Sequence, residues 1–194
     1  MSGSSASHAL VIGGSGMLRW ACVGLAAQGA RVTVIARNPG RLEALAESAV
    51  GLPGRIVPLS CDYRDPAALT SAIHWAIRDL GRPDPTIAWM RSESDESLHA
   101  AARALDGGSS PARFVHVLPS AARSPVLRRR LRDQFATYPQ LRYRQVVLGF
   151  TTDEGISRWL TDTEISEGVL RSLECRDDEW VVGRVHPWSE RPGV

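Results

Sequence analysis

The chain has 194 residues, of which 43% are hydrophobic and 23% are charged, a composition typical of one folded domain with a substantial buried core. Its formal net charge is only +2, which argues against binding nucleic acid through many phosphate contacts. All 23 basic residues are arginine. Because this sequence contains no lysine, mechanisms that need a lysine ammonium group or a lysine Schiff base are excluded for it.

In the first half of the chain, short β-branched segments alternate with helical patterns. Strands are predicted at 9–13, 31–36 and 55–60, and helices at 17–28, 40–49 and 65–80. Pro58 indicates that the third strand lies near a sheet edge, because proline cannot donate a ladder hydrogen bond. Asp65 followed by Pro66 is typical of a helix N-terminus.

The second half continues the alternation. Strands are predicted at 86–90, 113–119, 142–150 and 179–185, and helices at 94–108, 124–139 and 161–174. Thr161 and Glu164 have the spacing of a capping box. Seven strands separated by helices predict a single α/β domain, a doubly wound Rossmann-type parallel sheet with helices on both faces. Such a sheet binds ligands in a crevice at the carboxyl ends of its strands.

A glycine-rich loop stands between the first predicted strand and the first predicted helix. Its residues are Gly13, Gly14, Ser15, Gly16, Met17 and Leu18. Glycine lets the backbone turn sharply and approach a pyrophosphate, and the following helix offers unpaired N–H groups to the anion. We therefore predict dinucleotide binding here, with a purely structural turn as the alternative. Arg19 occupies the place of the last glycine in the G-x-G-x-x-G pattern.

The residues after the second strand predict which nicotinamide cofactor binds. An acidic residue there would bind the ribose 2′-hydroxyl and repel a 2′-phosphate. This chain has Arg37, Asn38 and Arg41 instead, with no carboxylate among them. These residues favour NADP(H), although an arginine pair that is solvated and caps a turn is the alternative interpretation.

Residues after the third and fourth strands are further candidates for contacting the dinucleotide. Asp62 and Tyr63 follow the third strand, where the carboxylate of Asp62 would accept a hydrogen bond from the adenine amine. Asp62 as an ordinary loop residue is the alternative. Trp89, near the end of the fourth strand, is predicted to line the ribose and nicotinamide or else to be a buried core residue.

In this order, these residues resemble the short-chain dehydrogenase/reductase family. The resemblance rests on the glycine loop, the Arg37 position, Asp62 and Ser120, which follows the fifth strand. The segments GGSGML, Gly149-Phe150 and RWLT-x-x-EIS are similar to those of small bacterial members of the family. The resemblance implies a Rossmann fold, a nicotinamide cofactor and oxidoreductase activity.

The family's catalytic pair is missing from the sequence. The resemblance implies a serine, a tyrosine that acts as general acid, and a lysine four residues later. Tyr138 and Arg142 imitate the spacing, but Pro139 disfavours a helix at Tyr138. The helix expected to carry the tyrosine has arginines between 128 and 132 instead, and we interpret them as a clamp for an anionic substrate or as a solvated helix face.

Two residues remain as catalytic candidates. Ser120 is expected to hydrogen-bond a substrate heteroatom or to cap the following segment, and His116 to relay a proton or to be a satisfied core histidine. We predict an NADP(H)-dependent reductase that acts on a C=N or C=O group of a small molecule without the usual tyrosine–lysine pair. A non-redox NADP(H)-binding sensor, partner subunit or structural module is the alternative.

Further expectations concern metals, membranes, location and assembly. Cys22, Cys61 and Cys175 are far apart, and no histidine lies at metal-ligand spacing, so we expect free thiols and no bound metal. No apolar run approaches the roughly 18 residues that span a membrane. Without a recognisable secretion signal, a cytoplasmic protein is expected. We also expect a homodimer or homotetramer that binds neither nucleic acid nor membrane.

Overall fold

A computed structural model describes residues 7–90 and 95–193 of the chain. Its main feature is a seven-stranded sheet in the order β3-β2-β1-β4-β5-β6-β9, in which every neighbouring pair is parallel. The predicted doubly wound Rossmann-type α/β fold is confirmed. The sheet strands are β1 (His8–Ile12), β2 (Arg31–Ala36), β3 (Arg55–Ser60), β4 (Thr86–Ala88), β5 (Ala112–Leu118), β6 (Leu141–Leu148) and β9 (Glu179–Val182).

Helices connect the strands and cover both faces of the sheet. They are α1 (Arg19–Ala27), α2 (Pro39–Glu47), α3 (Pro66–Leu80), α4 (Glu96–Leu105), α5 (Pro125–Phe135) and α6 (Asp162–Ser172). One apolar core joins α1, α2 and α6 to the sheet, and a second lies under α3, α4 and the end of α5. No helix in the described part of the chain is both long and apolar enough to cross a membrane.

Local sequence signals account for several of these boundaries. The carboxylate of Asp65 accepts hydrogen bonds from the backbone N–H groups of Ala67 and Ala68 and so begins α3. Thr161 and Glu164 form the predicted capping box at the start of α6. β3, which contains Pro58, lies at an edge of the sheet as predicted.

The segment after β6 differs from the expectation. Residues 142–150 were expected to form one strand, but β6 ends at Leu148 and an antiparallel hairpin follows, made of β7 (Phe150–Asp153) and β8 (Ile156–Trp159). Gly149 lies between β6 and β7, and a Cβ on it would lie 2.2 Å from the carbonyl oxygen of Arg184. Only glycine allows this close approach of two backbones.

Candidate functional site

The glycine loop, residues 13–18, follows the carboxyl end of β1 and packs tightly on the sheet. Gly13 has φ +81°, and a Cβ on it would lie 2.0 Å from the carbonyl oxygen of Trp89. A Cβ on Gly14 would lie 2.8–2.9 Å from side-chain atoms of Val11, Cys22 and Val34. These two glycines are therefore required by the packing of the loop itself.

Gly16 differs, because a Cβ there would meet no atom within 4 Å. It borders a cavity of about 650 Å³ that is also lined by Ser15, Arg19 and Arg41. Leu18 caps α1 without any side-chain hydrogen bond, so no side chain of the cap competes for the first-turn N–H groups. Open space, two guanidinium groups and a helix N-terminus together fit the pyrophosphate of a dinucleotide.

Helix α6 contacts the glycine loop and the start of α1. The hydroxyl of Ser166, which is only 1% exposed, donates a hydrogen bond of 3.1 Å to the backbone carbonyl of Met17. Asp162 lies 3.9 Å from the guanidinium of Arg19. The sequence indicates no role for Ser166, although it belongs to the RWLT-x-x-EIS segment; its contact partner could be identified only from the fold.

At the end of β2, the three predicted residues have different environments. The guanidinium of Arg37 lies 5.4 Å from the ring centre of Tyr63. The side-chain oxygen of Asn38 accepts the backbone N–H of Arg41 at 2.9 Å and caps α2. The side chain of Arg41 borders the cavity beside Gly16. Asn38 therefore positions the turn, while the two arginines supply positive charge at the crevice.

The two candidates that follow β3, Asp62 and Tyr63, lie next to Arg37. Tyr63 is buried, whereas Asp62 is exposed and accepts hydrogen bonds from the guanidinium of Arg64 at 2.7 and 2.9 Å. These hydrogen bonds lower the pKa of Asp62 to about 2, so its carboxylate is ionised and able to accept a further hydrogen bond. Arg37, Asp62 and Tyr63 therefore lie together at the carboxyl ends of β2 and β3.

Trp89 lies just beyond β4. Its backbone N–H donates to the carbonyl of Ile12 at 2.9 Å, and its half-buried side chain packs against the core on the α1 side of the sheet. The geometry thus places Trp89 beside the glycine loop and also gives it a role in packing.

The two catalytic candidates are in very different surroundings. Ser120 is half-buried in a short 3-10 turn, Ser120–Arg123, just after β5, and its hydroxyl has no hydrogen-bond partner among the described residues. His116 is buried under α5, where its Nδ1 and the hydroxyl of Tyr143 form a 2.8 Å hydrogen bond. Burial lowers the pKa of His116 to about 4. This environment is that of a satisfied core histidine, and the proton-relay role remains an untested prediction.

The arginines of α5 do not form a single clamp. Arg128 and Arg132 donate to the same carboxylate oxygen of Glu179, at 2.9 and 2.8 Å. Arg129 and Arg130 are exposed. The cluster is therefore partly a structural ion-pair network between α5 and β9 and partly a solvated helix face.

The described residues show no metal-binding arrangement. No group of three or more His, Cys, Asp or Glu side chains within 7–90 and 95–193 is placed to hold a metal ion.

Comparisons with known proteins agree with this geometry. The family model for short chain dehydrogenase matches residues 7–87, which contain the glycine loop and the residues after β2 and β3. No curated protein matches the chain.

Several solved structures have the same fold. A short-chain dehydrogenase/reductase from Serratia marcescens is 18% identical, with a TM-score of 0.73 over 91% of this chain and 96% of that one. A short-chain type dehydrogenase/reductase from Mycobacterium marinum is 19% identical, with a TM-score of 0.72 over 92% and 94%. A metagenomic short-chain oxidoreductase in complex with NADP is 19% identical, with a TM-score of 0.65 over 93% and 99%.

The family match and these structures confirm the predicted resemblance to the short-chain dehydrogenase/reductase family, a class of oxidoreductases. The family model covers residues 7–87, whereas the rest of the chain is similar to these proteins in fold alone.

Proposed function

We propose that this chain binds NADP(H) and reduces a C=N or C=O group of a small molecule. The observation that carries the proposal is the open space over Gly16 at the N-terminus of α1, bordered by the guanidinium groups of Arg19 and Arg41 and by the carboxylate of Asp162 beside Arg19. A bound NADPH would supply the hydride, and the protein would supply binding and orientation.

The preference for NADP(H) over NAD(H) rests on charge. Arg37 and Arg41 follow β2 with no carboxylate between them, so a ribose 2′-phosphate would meet positive charge without repulsion. The NADP complex of the metagenomic oxidoreductase is consistent with this choice for a protein of the same fold. Gly13, Gly14, Ser15, Met17 and Leu18 would shape the pyrophosphate site around Gly16. Asp62, Tyr63 and Trp89 would border the adenosine and nicotinamide parts.

The proposed substrate class follows from the missing tyrosine–lysine pair, whose tyrosine would act as the general acid. A ketone needs a proton donor when it accepts hydride, whereas an imine protonated in water already carries its proton. Arginine remains protonated and is a poor proton donor, so the arginines near Tyr138 would not replace the missing tyrosine–lysine pair. The free hydroxyl of Ser120 after β5 would hydrogen-bond the substrate heteroatom and orient it.

A second function is supported by the same missing pair. The hydroxyls of Tyr138 and Tyr143 are hydrogen-bonded to His99 and His116, at 2.9 and 2.8 Å. With both tyrosines engaged in this way, a protein that binds NADP(H) without turnover, as a sensor or partner subunit, is the alternative. A homodimer or homotetramer and a cytoplasmic location remain proposals for either function.

Two measurements test the proposal. Calorimetry should detect binding of NADPH, and NADPH oxidation should follow addition of an imine, aldehyde or ketone from a panel. Binding without oxidation across the panel supports the sensor function. Absence of NADPH binding would refute both functions.

A further inference from the structure

A second large cavity lies at the amino ends of the strands, away from the glycine loop. It has a volume of about 670 Å³ and is lined by residues at the starts of β5 and β6, at the end of α5 and in the loop between α6 and β9. The strands are parallel, so their amino ends are on the far side of the sheet from the carboxyl ends that carry the glycine loop. We call this cavity the arginine groove.

The groove follows an open strand edge. β6 begins at Leu141, but its pairing with β9 begins only at Gln145, opposite Glu179. Residues 141–144 therefore have no strand partner on that side within the described chain. The side chains of Phe135 and Tyr143 contribute apolar surface to the lining.

The charged groups in the lining are strongly unbalanced. One carboxylate, that of Asp178, accompanies five guanidinium groups, those of Arg113, Arg132, Arg142, Arg144 and Arg176. Arg113 is paired with Asp84 and Arg132 with Glu179, each at 2.8 Å. The remaining three guanidinium groups have no carboxylate partner among the described residues.

Part of this cluster has a structural role. Arg113 and Arg144 donate to the carbonyls of Leu173 and Ser172, at the C-terminus of α6. Positive charge at that end is favourable because the last carbonyls of a helix carry partial negative charge.

Arg142 and Arg176 have no such explanation. Both are exposed, and neither guanidinium group donates a hydrogen bond or forms an ion pair within the described part of the chain. Arg142 stands directly opposite Arg113 in the β5–β6 register. Arg113 is already paired with Asp84, so it is the charge of Arg142 that a bound anion would neutralise.

We propose that the arginine groove binds a small-molecule polyanion with at least two phosphate or carboxylate groups. Guanidinium groups bind both kinds of anion through paired N–H···O hydrogen bonds. The volume is in the range of small-molecule sites, roughly 300–1,000 Å³. The site is separate from the cofactor crevice and does not depend on the proposed function.

The probes are pyrophosphate and citrate, measured by calorimetry at physiological ionic strength, so that phosphate and carboxylate ligands are compared directly. The test variant is Arg142→Gln/Arg176→Gln. The matched control is Arg129→Gln/Arg130→Gln, which removes the same charge from exposed positions of α5 outside the groove. A third protein, Arg41→Gln, identifies any binding at the glycine loop.

We expect one of the two anions to bind, the groove variant to weaken that binding at least tenfold, and the other two variants to change it less than twofold. Equal weakening in the groove variant and the control would mean that net charge alone attracts the anion, and would overturn the proposal. So would binding lost only in Arg41→Gln, or no binding of either anion to the unmodified protein. Circular dichroism verifies that each variant is folded.

Discussion

The hydroxyl of Ser166 is bonded to the backbone carbonyl of Met17, although the two residues are 149 positions apart in the sequence. This hydrogen bond joins α6 to the glycine loop at the proposed pyrophosphate site. It connects the two segments, GGSGML and RWLT-x-x-EIS, on which the resemblance to small family members rests. In the proposed function Ser166 would therefore be a positioning residue, since it would act on the cofactor only through the loop.

Replacing Ser166 with alanine should weaken NADPH binding. One buried hydrogen bond contributes about 0.5–1.5 kcal/mol, so we expect the Kd to rise roughly two- to tenfold. The matched control is Ser172→Ala, because Ser172 is also buried in α6 but donates to Val169 of its own helix at 2.6 Å. Both variants should lose similar unfolding free energy in urea, but only Ser166→Ala should change the Kd. An equal effect of the two on calorimetric affinity would show that Ser166 only stabilises the fold.

The sequence predicts the main sheet and the helices between its strands because those features depend on local patterns. β-branched runs, the Asp65 cap and the Thr161–Glu164 capping box are each encoded within a few residues. The contact of Ser166 with Met17 cannot be predicted in this way, since it depends on how two distant segments pack.

The β7–β8 hairpin was missed for a related reason. The apolar pattern continues from β6 to Phe150, and the backbone of Arg184, which lies against Gly149 between the two strands, is distant in sequence. The arginines of α5 likewise form a uniform run in sequence. Only the position of Glu179 on β9 separates the paired Arg128 and Arg132 from the exposed pair.

Replacing Gly16 with valine should abolish cofactor binding and leave the fold intact. A Cβ there meets no atom within 4 Å, so the side chain enters the open space of the proposed pyrophosphate site. Gly107→Val is the matched control, because a Cβ at Gly107 also meets nothing within 4 Å but lies outside the crevice. Gly14→Val, in contrast, should reduce stability as well, because its side chain would collide with the core. Native circular dichroism with unchanged NADPH affinity in Gly16→Val would mean that the loop is only a turn.

Calorimetry should give a lower Kd for NADPH than for NADH. Charge-assisted hydrogen bonds contribute roughly 1.5–3 kcal/mol each before losses, so we expect at least about tenfold discrimination from Arg37 and Arg41. Arg37→Asp should reverse the preference. Arg55→Asp makes the same charge change at an exposed position on the amino end of β3 and should preserve the preference. Equal affinities of the unmodified protein for both cofactors would contradict the NADP(H) assignment.

Stability should decrease between pH 6.5 and pH 4 because of His116. Its pKa is lowered by burial to about 4 in the folded chain, whereas the ordinary value is 6.5. Within this window the unfolded chain binds a proton that the folded chain does not, so the free energy of unfolding falls as the pH falls. The contribution is complete above pH 6.5 and amounts to about 3 kcal/mol.

Urea unfolding at several pH values measures this effect. His116→Phe should reduce the slope of the unfolding free energy against pH. His74→Phe, a change at an exposed position of α3, should leave that slope unchanged. His8 is also buried and has a lowered pKa, so a smaller slope should remain in His116→Phe. Identical slopes in the unmodified protein and His116→Phe would contradict the assignment of this pH dependence to His116.

Neither Tyr138 nor Tyr143 should be an essential acid if the chain is a reductase. Tyr138 follows α5 and is hydrogen-bonded to His99, while Tyr143 lies on β6 beside His116, where burial raises its pKa well above the ordinary value. Tyr138→Phe and Tyr143→Phe should each keep turnover within about tenfold, whereas loss of a general acid typically costs 10²–10⁴-fold. Ser120→Ala should be more harmful than either, because the substrate heteroatom loses the hydroxyl that orients it. Saturating NADPH must be used, so that weaker cofactor binding is not mistaken for a slower chemical step. A collapse of kcat in Tyr138→Phe alone would overturn this prediction and make Tyr138 the essential acid, even though Arg142 lies in the arginine groove on the far side of the sheet.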